Sequence, residues 1–202
     1  MGYPRSHLVA ADATGWYHCT SRCVRRAFLC GVDKLTGRDY EHRRQWIADR
    51  LRALAGIFAV GVYGYTVMSN HDHVIVRVGP DIASRWSDEE IADRWGELLP
   101  RGNEARDRLH CDGLLADPER LALLRQRLGS LSWFMRCLYG PIARRANSYD
   151  DARGHFWEAR FKCQALLDDY AVLAAMAYVD LNPVRAGIAD GIVDSDYSSV
   201  QT

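Results

Sequence analysis

The sequence predicts an α+β fold, and three observations carry that reading. Strand-like apolar segments come early in the chain, helical spacing of apolar residues separates the first of them from the second, and the stretch after the third carries little strand signal. The first strand is short, Trp16-Tyr17-His18-Cys19-Thr20-Ser21, and a basic run, Arg22-Cys23-Val24-Arg25-Arg26, follows it. A polar, glycine-marked loop through Gly37 leads into a helix from about Tyr40 to Ala55, with Trp46, Ile47, Leu51 and Leu54 at helical spacing. Phe58 to Met68 reads as a strand, and after Ser69-Asn70 another runs from His71 to Val78. This β-α-β-β order is the opening of a ferredoxin-like antiparallel sheet with flanking helices.

Residues 80–127 read as a helical insertion. Ser87-Asp88-Glu89-Glu90 supplies an N-cap and an acidic first turn for a helix to about Leu99, and Pro100 to Asp107 reads as a polar linker. A more apolar helix starts near Leu128, passes Leu131, Phe134, Met135 and Leu138, and runs toward Ala146 with a break expected at Gly140-Pro141. His155-Phe156-Trp157 through Leu167 reads as another strand. The last helix begins at Asp168-Asp169, which read as helix-starting residues and not catalytic acids. It is expected to end by Asn182, because Pro183 disfavours helical geometry in the residue before it. The whole chain, 1–202, reads as one domain without internal repeats.

A chain of 202 residues with 48% apolar side chains can build a core of its own. It has neither a run of 18 apolar residues nor the plan of a secretion signal, so a soluble, cytoplasmic protein with no membrane partner is expected. Six cysteines without paired CxxC spacing read as reduced thiols, with a structural zinc site at Cys19, Cys23 and Cys30 as a minor alternative. Net charge is zero, which argues against a purely electrostatic DNA coat, yet residues 1–80 hold eleven Lys/Arg against six Asp/Glu. Only Lys34 and Lys162 are lysines; 24 of the 26 cations are arginine, whose planar fork suits bidentate phosphate contacts.

Two motifs carry chemistry. In a strand alternate side chains share a face, so His71 and His73 present two imidazoles on one side, about 6–7 Å apart along the backbone, with Asp72 on the other. That geometry suits one metal ion, and equally suits two half-buried histidines. The final helix contains Tyr178 and Asn182, four residues apart and therefore one turn apart on one face. A phenol and an amide can thus address one small site. The alternative for Tyr178 is a packed helix face with Ala174, Ala177 and Leu181, and for Asn182 a helix terminator before proline.

Four segments together resemble one family: Tyr17-His18-Cys19 with the arginines after it, Val67-Met68-Ser69-Asn70-His71-Asp72-His73, Gly154-His155-Phe156-Trp157-Glu158-Ala159-Arg160-Phe161-Lys162, and Tyr178-Val179-Asp180-Leu181-Asn182-Pro183-Val184-Arg185-Ala186-Gly187. In this order they resemble the REP-associated tyrosine transposases, within the single-tyrosine HUH endonucleases. The resemblance implies that His71 and His73 are metal ligands, that Asn182 completes the metal site, and that Tyr178 is the nucleophile. It further implies magnesium or manganese as the divalent metal ion, and an antiparallel sheet with the nucleophile's helix across the strand bearing the histidines. The implied activity is the cutting and rejoining of single-stranded DNA near imperfect hairpins, by a bacterial, nucleoid-associated protein acting as a monomer or homodimer.

The chemistry follows from the residue types. A divalent cation neutralises charge on a non-bridging phosphate oxygen, and a phenol can then attack in line, leaving a 3′-hydroxyl and a 5′-phosphotyrosine. A free phenol ionises near pH 10, so its phenolate costs on the order of 4 kcal/mol at neutrality unless a cation offsets it. Arg22, Arg25, Arg26, Arg43 and Arg44 are candidates to track a DNA backbone, with Arg136, Arg144, Arg145, Arg153, Arg160 and Lys162 as a second surface. Tyr3, Trp16, Trp133, Tyr139 and Trp157 are candidates to stack on unpaired bases, although such aromatics are more often core. His18 reads as a packed or hydrogen-bonded histidine in preference to one at the metal.

The family's middle residue between the histidines is commonly bulky and apolar, and here it is Asp72. On a buried face that carboxylate requires an arginine or a backbone donor. Relatives often continue beyond the ending Asp196 to Thr202, so a truncated chain is expected. Two rival readings stay open: a domesticated, catalytically silent DNA-hairpin-binding protein, and a metal hydrolase that activates water at His71 and His73.

Overall fold

A computed structural model describes residues 13–24, 27–99 and 104–187 of the chain. In order these form β1 (Gly15–Arg22), α1 (His42–Ile57), β2 (Val60–Val67), β3 (His71–Val78), α2 (Pro80–Ala83), α3 (Asp88–Gly96), α4 (Glu104–Leu115), α5 (Pro118–Leu128), α6 (Leu131–Tyr149), β4 (Lys162–Leu166) and α7 (Asp169–Arg185). The strands make one antiparallel sheet in the order β2-β3-β1-β4. With helices between β1 and β2 and between β3 and β4, this is the ferredoxin-like arrangement expected from the β-α-β-β opening.

Strand alternation sorts the side chains between two faces. Tyr17 and Cys19 of β1 and Val74, Val76 and Val78 of β3 enter the main core, with Ile47, Leu51 and Leu54 of α1 and Phe134, Met135 and Leu138 of α6. Leu114, Leu121, Leu124 and Leu128 carry the same core into the helices that follow β3. The opposite face is closed by α7, whose Val172, Ala175 and Val179 pack against Ile75 of β3 and Leu166 of β4. No helix among the described residues is long and apolar enough to cross a membrane.

Several boundaries follow the sequence signals. Ser87 caps α3 reciprocally: its Oγ accepts from Glu90 N at 3.2 Å while Glu90 Oε2 accepts from Ser87 N at 3.0 Å. Asp168 caps α7 by accepting from Ala171 N at 2.7 Å, which supports its reading as a helix-starting residue.

Other boundaries differ. Glu104 to Asp107, expected in a linker, already belong to α4, in a stretch of good helix formers with no glycine or proline before Gly113; residues 100–103 lie outside the described set. The expected strand from His155 shrinks to Lys162–Leu166, because the chain enters it through Gly154 at φ +101° and makes only an isolated bridge between Trp157 and Cys23.

Both expected proline breaks are absent. The helix α6 runs through Pro141 to Tyr149, and the carbonyl that Pro141 cannot bond, that of Cys137, accepts instead from Arg50 Nε at 3.0 Å. The helix α7 runs through a buried Pro183 to Arg185. Beyond it Ala186 N donates to Asn182 O and Gly187 N to Val184 O, each at 3.0 Å, and Gly187 at φ +65° turns the chain away.

The role of Arg50 is testable by a double-mutant cycle. Arg50→Met should destabilise the protein by about 1–3 kcal/mol in urea unfolding, since it strands a carbonyl inside the helix packing. In a Pro141→Ala background, where residue 141 regains an N–H for that carbonyl, the same change should cost measurably less. Equal costs in the two backgrounds would sink this explanation of the unbroken helix.

Candidate active site

Three histidines and a tyrosine converge on the sheet face covered by α7. His71 and His73 project from the same side of β3, their ring centroids 5.1 Å apart. His18 of β1 lies beside them: Thr20 is the residue directly across from His73, so His18 reaches His73 along the diagonal. Its Nε2 sits 2.9 Å from His73 Nδ1, with the ring centroids 5.1 Å apart and the ring planes 28° from parallel. Tyr178 descends from α7 onto this group, with its ring 5.5 Å from that of His73 and 6.1 Å from that of His18. The tyrosine is 42% exposed, so solvent or a substrate can reach its phenol.

The polar atoms of the group are unevenly satisfied. His71 Nδ1 lies 2.8 Å from Asn70 Oδ1, an acceptor, which fixes the proton on Nδ1 and leaves the other ring nitrogen with its lone pair. His73 Nε2 is buried with no hydrogen-bond partner, and so is Nδ2 of Asn182, one turn after Tyr178. Burial holds all three imidazoles below the ordinary histidine range, and His73 is pushed down to about 3 by desolvation and by its two histidine neighbours. At neutral pH they are therefore uncharged, the state in which imidazole binds a metal. Among the described residues no three His, Cys, Asp or Glu side chains form a ready cage for an ion. The side chains that could hold a cation here are the imidazoles of His71 and His73, with the Asn182 amide oxygen as the third group expected from the sequence.

Asp72, between the two histidines, points into the main core and is fully buried. Its Oδ1 accepts from Ser21 N at 3.1 Å and from Tyr139 Oη at 2.9 Å, while Oδ2 has no partner. A backbone donor is present, as expected for a buried carboxyl, and a phenol takes the place of the alternative arginine. Desolvation raises the Asp72 carboxyl to about 7 despite those two hydrogen bonds.

The expected DNA-contact residues separate. Arg22 ends β1 directly across from His71, and Lys162 starts β4 directly across from Thr20, so both edge the histidine group, exposed. Arg160 is exposed just before β4. Arg144 and Arg145 are exposed on α6, which packs on the other side of the sheet, and the Arg145 guanidinium lies 3.9 Å from the centre of the Trp46 ring. Arg25, Arg26 and Tyr3 lie outside the described residues.

Arg43 and Arg44 are corrected. Both are buried, and Arg43 is committed to Phe28 O at 2.8 Å and Asp150 Oδ1 at 2.5 Å, so it anchors the loop before α1 to the end of α6 and cannot follow a backbone. Tyr139 is likewise buried on Asp72 and unavailable for stacking. The three cysteines considered for zinc form no such site; Cys23 donates its thiol toward Ala27 O and Asn70 O.

His18 is a hydrogen-bonded histidine, as expected, although its partner, His73, depends on strand register, and sequence reasoning missed Arg185. The Arg185 guanidinium lies 6.0 Å from the centre of the Tyr178 ring. Its signal was the spacing of two helical turns after Tyr178, which returns the side chain to the same face.

Across its full length the chain is similar to a solved structure described as a REP-associated tyrosine transposase bound to a REP hairpin. The TM-score is 0.53, the identity 15%, and the match covers 100% of this chain and 84% of that one. The fold is that of a REP-associated tyrosine transposase. At this identity the likeness to the transposase is one of fold. No family model and no curated protein matches the chain.

The pH dependence of stability tests the Asp72 environment. Its folded-state value, about 7, lies above the unfolded 3.8, so the folded protein binds this proton more tightly. The associated stability is complete below about pH 4 and is lost as pH rises toward 7, by up to about 4 kcal/mol. Asp72→Asn removes that slope. Urea unfolding should therefore show the difference between variant and wild type shifting in the variant's favour from pH 4 to pH 7; a constant difference would contradict a raised carboxyl.

Proposed function

We propose that this chain, as a single transposase domain over residues 1–202 with α2 to α5 as its insertion, cuts and rejoins single-stranded DNA beside hairpins through Tyr178. The observation that carries the proposal is the meeting of an exposed tyrosine with a pair of uncharged imidazoles on one sheet face. The fold likeness to a transposase bound to a REP hairpin supplies the DNA class.

His71, His73 and the Asn182 amide oxygen would hold the metal, Mg2+ or Mn2+, and the buried, unpartnered Nε2 of His73 fits a missing ligand at this point. When bound, such an ion neutralises a non-bridging phosphate oxygen and orients the phosphate. Tyr178 supplies the nucleophile. Its phenolic oxygen forms a bond to phosphorus while the bond from phosphorus to the 3′ oxygen breaks, and the departing oxygen takes a proton to become a 3′-hydroxyl. The product keeps the 5′ phosphate on Tyr178 as an ester, so a later 3′-hydroxyl can reverse the exchange without another energy source. Arg185 adds positive charge beside the phenol as its oxygen becomes negative.

Arg22 and Lys162, at the rim of the histidine group, are the phosphate contacts this geometry favours, with Arg160 next to them; Arg25, Arg26, Arg144 and Arg145 extend the proposed DNA surface. The proposal holds for a monomer or a homodimer.

Incubation with end-labelled hairpin DNA carrying a single-stranded flank, in Mn2+, should give a covalent protein–DNA adduct on a denaturing gel. Tyr178→Phe should abolish the adduct while retaining hairpin binding, and His71→Ala or His73→Ala should reduce it below detection. Cleavage that survives Tyr178→Phe would instead mark a metal hydrolase, and binding without any adduct in Mg2+ or Mn2+ would mark a silent hairpin-binding protein. Separately, Arg22→Ala and Lys162→Ala should each lower the slope of log affinity against log salt by about one, which filter binding over a salt series measures. An unchanged slope would remove those residues from the interface.

A further inference from the structure

We propose that His18 is a positioning residue that sets His73 in the tautomer able to take a metal ion through Nε2. The proposal deepens the metal reading given above and rests on it. A hydrogen bond between two neutral imidazoles needs one N–H and one lone pair, so the contact between His18 Nε2 and His73 Nδ1, at 2.9 Å, has only two solutions. If His18 donates, His73 must carry its own proton on Nε2, and that atom is buried with no acceptor in reach. If His73 donates from Nδ1, the buried Nε2 carries a lone pair aimed into the site. The first solution strands a donor in the interior, whereas the second leaves a ligand atom ready for a cation.

The neighbouring ligand repeats the device with a different partner. Asn70 Oδ1, which can only accept, holds the His71 proton on Nδ1 at 2.8 Å. Both histidines of β3 thus present the same nitrogen toward the metal, one oriented by an amide from the turn before the strand and the other by an imidazole from the adjacent strand. The His18 and His73 rings lie 28° from parallel and meet edge to edge, the geometry of an in-plane N–H···N bond, which restrains the rotation of His73 as well as its proton. His18 itself is not a ligand in this arrangement, because its Nε2 lone pair is engaged by His73.

Histidine ring nitrogens observed by 15N NMR in metal-free wild-type protein should show His73 as the Nδ1–H tautomer. In His18→Leu, His73 should lose that preference and the affinity for Mn2+ alone, by titration calorimetry, should fall about 10–100-fold. In His18→Gln the side-chain oxygen can accept the same proton, so both the tautomer and most of the Mn2+ affinity should return. An Nε2–H tautomer of His73 in wild type overturns the proposal, and so does a His18→Gln variant that loses as much affinity as His18→Leu, which would mark His18 as a ligand. If wild type binds Mn2+ and His18→Leu matches it, the role of His18 falls by itself; if wild type binds no Mn2+ at all, the metal reading falls and this role with it.

Discussion

The seating of α7 on the sheet is the constraint from which the site follows. Val179 is fully buried against Ile75, and both are direct neighbours of the chemistry: Val179 follows Tyr178, and Ile75 lies two residues after His73 on the same side of β3. Apolar and polar groups therefore share one interface. The buried valines, alanine, leucine and isoleucine supply the hydrophobic attachment, about 1.5–3 kcal/mol for each large side chain fully covered. With the helix held there, the next side of it brings Tyr178 over the imidazoles without needing a polar contact of its own. The attachment is small beside the main core.

The two faces of the sheet are coupled through β3. Strand alternation that sends His71 and His73 to the α7 side forces residue 72 into the main core, and the residue there is an aspartate. A bulky apolar side chain would simply pack. Asp72 instead ties β3 to β1 through Ser21 N and to α6 through the Tyr139 phenol, so the strand bearing the histidines is pinned on its reverse by directional bonds. The unpaired Oδ2 makes this a stressed solution at high pH, because the second oxygen is denied water once the carboxyl ionises. Orientation of the imidazole pair and ionisation of a core carboxyl are linked by one residue of backbone.

Features set by local periodicity were readable in the chain, and features set by distant partners were not. The shared face of His71 and His73 follows from a period of two, and the one-turn separation of Tyr178 and Asn182 from a period of 3.6. The ferredoxin-like sheet was legible from the β-α-β-β succession at its start. By contrast, the continuity of α6 through Pro141 depends on Arg50, 87 residues away, which replaces the missing donor. Arg43 resembles a surface cation in sequence, yet Asp150, 107 residues away, and the aromatic rings of Tyr40 and Trp46 enclose it. His18 falls in the same category, since its diagonal approach to His73 exists only once β1 and β3 are in register.

Burial gives the histidines a second property beyond orientation. An imidazole that is protonated in the free protein must lose that proton before it can bind a cation, which weakens binding as pH falls. Here desolvation keeps His18, His71 and His73 below the ordinary range, helped at His71 by the Arg22 charge and at His73 by its two histidine neighbours, so neither candidate ligand holds such a proton at neutral pH. The same neutrality decides where positive charge sits around Tyr178. A cluster of imidazolium charges would attract phosphate without selecting its orientation, whereas uncharged rings leave the local positive charge to Arg22 at the rim and Arg185 beside the phenol. On the proposed reading, positive charge then lies at the rim of the histidine group and beside the Tyr178 ring, and the centre between the imidazoles is left for a cation.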